Sequence, residues 1–202
     1  DDTTHIEMVR YNKGSDVLLN LFTLMTGGGG SIPRVVRFLG NILKQPITFL
    51  KLFWPFGMAA STTVVLVMQT DSNYLQFDYK PRWWRFGRYS MNSKIPEGKE
   101  ANPAYIPIAN KVTEKLAEKM DGVPLSFFSE AVFNAPGTAH ILGGCSMGES
   151  PETGVVGKNG ELFGYPNLFV ADGSVVPANL GVNPSLTITA LAEYIMSQQP
   201  EK

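Results

Sequence analysis

The sequence predicts an α+β protein in which helices pack on an antiparallel sheet, and three observations carry that prediction. Residues 62–69 (TTVVLVMQ) and 74–79 (YLQFDY) are β-branched and aromatic runs separated by Asp71, Ser72 and Asn73, the pattern of a β-hairpin. Residues 31–51 and 102–122 repeat apolar side chains at helical spacing. Asn183-Pro184 stands before a further apolar stretch, Asn suited to an N-cap and Pro to the first helical position, so 185–197 is expected to be helical.

Taken in order, LLNLFTLMT reads as helix as easily as strand, and the four consecutive glycines that follow at 27–30 read as a loop. A phosphate cradle needs glycines spaced between a strand and a helix with a basic or hydroxyl partner in register, which this run lacks. Within 31–51, Val35, Phe38, Leu39, Ile42 and Leu43 mark the apolar face, Arg34, Arg37 and Lys44 are among the polar positions, and Pro46 is expected to break or kink the helix. Residues 52–70 are a charge-free run of 19, long enough to raise a membrane span. Pro55, Gly57, the hydroxyl residues at 61–63 and Gln69 favour instead a core helix, a turn and a buried strand at 62–69. A partly exposed apolar lid touching a membrane is the alternative.

In the second hairpin strand Leu75, Phe77 and Tyr79 alternate with Tyr74, Gln76 and Asp78, which implies one core face and one wetter face. Trp83, Trp84, Arg85, Phe86, Arg88 and Tyr89 mix bases with aromatics. Without a wider basic field, that mixture reads as arginines lying over packed rings rather than a nucleic-acid platform. Asn102-Pro103 is read as opening the next helix, with Ala109, Val112, Leu116 and Met120 on its apolar face, Lys111, Glu114, Lys115, Glu118 and Lys119 solvated, and Gly122 as its stop. Residues 123–133 are read as a strand that delivers the chain to His140. Leu168-Phe169-Val170 is read as a short buried strand ended by Asp172-Gly173.

Composition excludes several functions. With 202 residues, 44% hydrophobic and 17% charged, the chain is long enough for one or two cores. Seventeen basic against eighteen acidic residues give a net charge of −1, which removes the overall electrostatic case for nucleic acid or for strong attraction to anionic lipid. One cysteine allows no internal disulfide, and one Cys with two His makes no zinc cluster, so no metal is expected. The opening DDTTHIEMVR has neither a basic nor an apolar segment of a signal peptide. Gly144-Cys145-Ser146-Met147-Gly148 satisfies the G-x-S-x-G pattern of a hydrolase elbow, but both histidines precede the serine, against the order Ser, acid, His.

The most specific stretch is 138–192. TAHILGGCSMG is followed by NLFVADGSVVPANLGVNPSLTITALA, which together resemble the C-terminal signature of the glucose–methanol–choline (GMC) flavin oxidoreductases. Within that family the chain is most similar to the bacterial, mycobacterial-type cholesterol-oxidase branch. The similarity extends to IEMVRYNKGSD, VVLVMQ and NPAYIPIANKVTEKLAEKMDG and so covers most of the chain.

The resemblance implies flavin adenine dinucleotide (FAD) as cofactor and a sterol or other bulky alcohol as substrate. Members of the family carry a dinucleotide-binding βαβ unit with a GxGxxG turn near the N-terminus, and no strand here leads into such a turn. The chain is therefore expected to be a C-terminal fragment of a longer protein, inactive on its own. Residues 1–135 would form the substrate-binding (steroid) domain, and 136–202 would complete the FAD-binding domain whose N-terminal part is absent. The missing part is then a partner.

By the same resemblance His140 stands over the flavin, orients the substrate hydroxyl and accepts its proton, and Asn183, 43 residues later, faces the same hydroxyl. Ile141 occupies the position where sterol oxidases commonly have Pro. Gly143, Gly144, Asp172, Gly173, Asn183 and Pro184 correspond to flavin-contacting positions, and the helix start behind Asn183 suits negative charge developing on the ring. Glu7 in IEMVRY corresponds to the glutamate that shuttles a proton in sterol oxidases that also shift the ring double bond. Two further readings stand beside this one: a GMC oxidoreductase for another bulky alcohol, and a flavin-free module that binds a hydrophobic ligand.

Overall fold

The computed structural model describes residues 3–54, 56–71 and 73–199. Its strands are β1 (Thr4–Val9), β2 (Phe22–Leu24), β3 (Val64–Gln69), β4 (Gln76–Pro81), β5 (Tyr89–Lys94) and β6 (Leu125–Phe127). The α-helices are α1 (Asp16–Leu19), α2 (Arg34–Lys44), α3 (Pro46–Lys51), α4 (Met58–Ser61), α5 (Pro107–Lys119), α6 (Phe128–Phe133) and α7 (Ser185–Ser197). The strands make three two-stranded sheets, β1-β3, β2-β6 and β4-β5, of which the last two are antiparallel. The fold class is α+β, as the sequence implied.

Contacts divide the chain into two compact units that interleave in sequence. One takes in the chain through Val9, Val65–Asp71 and the chain from Thr138 onward, and the other holds Arg10–Val64 and the stretch ending at Gly137. A linear cut at 135/136 does not separate these units, because β1 and β3 pair with each other and group with the C-terminal segment.

The first unit is built on Val156, Val175 and Ile195, all fully buried, with Met147, Leu162, Val170 and Leu191 packed around them. Its C-terminal segment is held by loop hydrogen bonds in place of long strands. The run from Gly143 to Met147 lies along the 3-10 turn at Gly173–Val175, through Cys145 N–H to the Ser174 carbonyl (3.0 Å) and Met147 N–H to the Val175 carbonyl (3.1 Å). Leu168-Phe169-Val170 does not form the expected strand. Phe169 makes an isolated antiparallel bridge to Glu161, and Leu168 is half exposed, because the short reversal from 162 to 168 leaves no length for a ladder.

The second unit centres on Leu24, Phe38 and Ala131, with Ile42, Phe49, Leu52 and Val132 against them and Phe38, Phe49 and Phe53 in edge-to-face contact. LLNLFTLMT resolves into both readings at once, α1 and then β2. Pro46 breaks the 31–51 helix as expected by opening α3 at its first position. Of the apolar face assigned to it, only Phe38 is buried and Ile42 partly so, while Val35, Leu39 and Leu43 are exposed.

Three other expectations give way. The strands at 62–69 and 74–79 exist, but they do not pair: β3 joins β1, whereas β4 turns back at 82–88 and pairs with β5 in the register Phe77↔Ser93, Tyr79↔Met91. The reversal is closed by Arg82 N–H to the Arg88 carbonyl at 3.2 Å and by an Arg82–Asp78 ion pair, a local closure that costs less chain entropy than a distant one. Of the turn expected at 71–73, Ser72 lies outside the described residues. The 102–122 helix starts at Pro107 rather than Pro103, and its left-handed C-terminal residue is Asp121 (φ 50°), with Gly122 N–H returning to the Ala117 carbonyl. Residues 123–133 are strand only over β6 and helix thereafter. Among the described residues no helix is long and apolar enough to cross a membrane.

The accessible surface is 14089 Å², whereas size scaling gives about 11,200 Å² even for two separate domains of these lengths. Many large apolar side chains are exposed. The β4–β5 hairpin turns Phe77, Tyr79, Tyr89 and Met91 to one side, all exposed, where the alternation had implied a core face.

Inside the second unit Arg34 is buried and donates to the carbonyls of Thr26 (2.8 Å) and Ala104 (2.7 Å). Glu130, half-buried in α6, has its carboxyl pushed above the ordinary 4.5 by burial, partly offset by the Arg34 guanidinium and by backbone N–H groups. A raised folded-state value means that this group's contribution is complete below the unfolded value and is lost as pH rises through the folded one. Urea midpoints of this unit should therefore fall as pH rises from 4.5 toward neutrality, and Glu130→Gln should remove that part of the decline; parallel slopes in parent and variant would refute it.

Candidate functional site

All eight residues singled out from the sequence, Glu7, His140, Gly143, Gly144, Asp172, Gly173, Asn183 and Pro184, fall in the first compact unit. Glu7 projects from β1, where the two-residue strand repeat puts His5 on the same face. Its side chain is 29% exposed. Asn183 Nδ2 donates to Glu7 Oε1 at 2.6 Å, a bond between residues 176 apart in sequence.

Asn183 uses both ends of its amide. Its Oδ1 accepts from the backbone N–H of Ser185 (3.1 Å) and from the Ser185 hydroxyl (2.6 Å), which caps the start of α7 and leaves Nδ2 as the donor toward Glu7. Pro184, buried, takes the cap position itself, and its carbonyl accepts the first helical bond from Ile188 N–H. The helix bounds thus agree with the sequence, and the capping side chain comes from one residue earlier.

The glycine turns meet Asp172. Asp172 Oδ1 accepts from Ser174 N–H (2.8 Å) and from the Ser174 hydroxyl (2.5 Å), which caps the turn at Gly173 and holds this exposed carboxyl below its ordinary value. Gly173 is required by packing. A Cβ there would stand 2.8 Å from the Ile141 carbonyl oxygen and 3.1 Å from Ile188 Cδ1, so the turn touches both the loop after His140 and α7. Gly143 N–H reaches the Gly173 carbonyl at 3.4 Å. At Gly144 (φ 107°) nothing lies within 4 Å of a Cβ position, and at Gly143 only the Val176 carbonyl does, at 3.9 Å; the backbone here is open to close approach.

His140 is exposed in left-handed backbone (φ 54°), and its imidazole makes no hydrogen bond or ion pair among the described residues. A Pro at 141 would push the preceding residue toward extended backbone, so Ile141 is compatible with the conformation seen. The structure joins Glu7 to Asn183 directly, and joins the Gly143 loop to Gly173 and α7. It records no bond from His140 to either Asn183 or Glu7.

Two residues at this site escaped the sequence reading. His5 Nε2 lies 3.6 Å from Glu7 Oε2, and its i, i+2 spacing on a strand was the signal. Asn179 Nδ2 donates to the carbonyls of Gln69 (2.7 Å) and Asp71 (3.2 Å), while its Oδ1 accepts from Gly181 N–H (2.9 Å). That clamp fixes the loop before Asn183 to the end of β3, a long-range contact with no local pattern. Arg10, two residues beyond the sequence neighbours of Glu7, donates to the Ala60 carbonyl at 2.8 Å.

Comparisons with known proteins agree on the class. A family model described as GMC oxidoreductase matches residues 71–192, and the chain belongs to the GMC oxidoreductase family. More particularly, it is 44% identical over 203 residues to a cholesterol oxidase of Acinetobacter baumannii, covering 100% of this chain and 36% of that protein. It is 42% identical over 204 residues to a cholesterol oxidase of Mycobacterium tuberculosis, covering 98% of this chain and 34% of that protein. A long-chain-alcohol oxidase of Arabidopsis thaliana is 44% identical over 61 residues, 30% of this chain and 8% of its own length. The chain spans about a third of the length of the two cholesterol oxidases. No solved structure matches it.

Replacing Asn183 by Asp would set a second carboxylate against Glu7 where a donor now stands. The two like charges then disfavour joint ionisation, so Asn183→Asp should lower the melting temperature strongly at pH 7 and much less near pH 4, where one carboxyl holds a proton. An equal loss at both pH values would show that the bond to Glu7 is not what the variant breaks.

Proposed function

We propose that the chain is the substrate-binding and catalytic C-terminal portion of an FAD-dependent alcohol oxidase that converts a 3-hydroxysteroid such as cholesterol to its ketone. The observation that carries this reading is the 2.6 Å bond from Asn183 to Glu7, because it sets a carboxylate from the start of the chain beside the amide that caps α7. In this reading residues 1–135 supply most of the surface for the alcohol, with contact to a membrane as its source. Residues 136–202 complete the FAD-binding domain, and the rest of that domain is a partner segment of the same protein.

The residues fit a flat cofactor: the open backbone at Gly143 and Gly144 admits a ring system, the Asp172–Gly173 turn lies next to it, and the N-terminus of α7 offers partial positive charge. FAD bound there would supply the two-electron acceptor for the hydride that leaves the carbinol carbon. His140, unbonded and exposed, is free to orient the substrate hydroxyl and accept its proton. Asn183 holds one side of that hydroxyl through its amide, and Pro184 with the capped start of α7 fixes its direction. Glu7 is assigned the proton transfer between ring carbons that moves the double bond into conjugation, with His5 beside it as a polar neighbour.

A second reading, oxidation of another bulky alcohol, is favoured by the shorter matches to proteins named long-chain-alcohol oxidase and 2-methyl-1,2-propanediol dehydrogenase. Turnover of the full-length protein on sterol and on long-chain alcohol separates the two.

In that full-length protein, His140→Ala should lower kcat by about 10²–10⁴-fold with KM changed little, the range for loss of a positioned acid–base group. Unchanged kcat returns His140 to a structural role. Glu7→Gln should leave alcohol oxidation running while the unconjugated ketone accumulates, followed by the near-ultraviolet absorption of the conjugated product. Conjugated product at the parent rate removes Glu7 from that role.

A further inference from the structure

The two oxygens of Glu7 have different surroundings. Oε1 accepts the 2.6 Å bond from Asn183 Nδ2. That amide cannot be reversed, because its own oxygen already caps α7 through the Ser185 N–H and hydroxyl. Oε2 is turned to His5 Nε2 at 3.6 Å, a gap that a small rotation of either side chain closes to hydrogen-bond length. The backbone accounts for the pairing. β1 sets residues 5 and 7 on one face, and its partnership with β3 holds the strand in place, with Gln69 Nε2 donating to Thr4 Oγ1 (3.3 Å) across the pair.

The two side chains also differ in their access to water, since that of His5 is 47% exposed and that of Glu7 29%. Each nitrogen of an imidazole can accept or donate a proton, so a half-exposed ring with Nε2 at Glu7 can pass protons between that carboxyl and water.

We propose that His5 is a proton relay for Glu7, exchanging the proton that Glu7 carries between ring carbons for one from water. The inference rests on the reading of Glu7 as the group that moves the double bond. In that step Glu7 Oε2 takes a proton from the ring carbon between the ketone and the double bond, and the electron pair left behind makes the steroid a dienolate. Glu7, now neutral, gives this proton to His5 Nε2 while Nδ1 releases one to water, and the reverse passage returns a solvent proton to Oε2. Glu7 then delivers that proton to the far carbon of the former double bond, which leaves the conjugated ketone and a carboxylate again. Charge and proton count end as they began, and only the identity of the hydrogen has changed. Oε2 is the carrier because the Asn183 donor faces Oε1. His5 acts through Glu7 and needs no contact with the substrate.

The test gives the full-length protein an unconjugated 3-ketosteroid in heavy water and measures deuterium at the receiving ring carbon of the conjugated product by NMR, corrected for uptake without enzyme. Supplying the ketone takes alcohol oxidation out of the measurement. The parent is expected to place solvent deuterium in most product molecules, and His5→Gln to lower that fraction about five-fold. Glutamine keeps a donor for Oε2 but its amide does not carry a proton, so a role confined to orienting Glu7 would leave the fraction unchanged. His5→Ala should lose the label likewise and regain it when imidazole is added. Label per product molecule is a ratio, so partial unfolding of a variant lowers the yield without moving it. A parent product that keeps the substrate's own hydrogen, or a His5→Gln product labelled as fully as the parent's, overturns the relay and leaves Glu7 in its role. A parent that forms no conjugated product from the ketone removes Glu7 from the step, and the relay falls with it.

Discussion

The hydrogen bond from Asn183 to Glu7 is the constraint on which the arrangement of the site depends. A carboxylate on β1 meets the amide that caps α7, and the same amide holds Ser185 by its other end. Asn183 is not interchangeable with its near-isostere Asp, because a donor must face Glu7 while an acceptor faces the helix. A charge-assisted bond of this length is stronger than a neutral one. Closing a loop of 176 residues has a large entropic cost, so the bond depends on the β1–β3 pairing and on the Asn179 clamp to Gln69 for its geometry.

Around that bond the unit is organised by loops rather than long elements. Asp172 caps a three-residue turn, Gly173 admits the Ile141 carbonyl closer than a Cβ would permit, and the Gly143–Met147 run threads along the turn. Beneath it Val156, Val175 and Ile195 form a core that fixes the loop backbone. A backbone positioned in this way leaves open space at the Cβ position of Gly144.

The second unit differs in kind. Its core is small, a buried arginine satisfies backbone carbonyls within it, and much of its apolar surface points outward. Two outward surfaces differ in charge: the hairpin is backed by Asp78, Lys80 and Arg82, of both signs, whereas the charged residues of α2 and α3 are all basic. Surfaces of equal hydrophobicity can therefore select different partners, since desolvation supplies the affinity and charge supplies the choice.

The sequence by itself determined the fold class and the bounds of α7. Those follow from local patterns: Asn183-Pro184 caps and starts the helix beside it, although the same pair at Asn102-Pro103 does not, since α5 begins at Pro107. It determined where β3 and β4 run but not their partners, because alternation reports that a strand has two faces and says nothing of which strand lies beside it. The exposed face of α2 misled for a related reason, since periodicity marks an apolar stripe without showing whether the chain itself covers it, and at 123–133 a short apolar run fitted strand and helix alike. Only the tertiary structure decided that Glu7 meets Asn183, that His5 stands beside Glu7 and that Asn179 holds the loop to β3. Each is a contact between distant segments or a product of side-chain direction, fixed by packing rather than by neighbours in the chain.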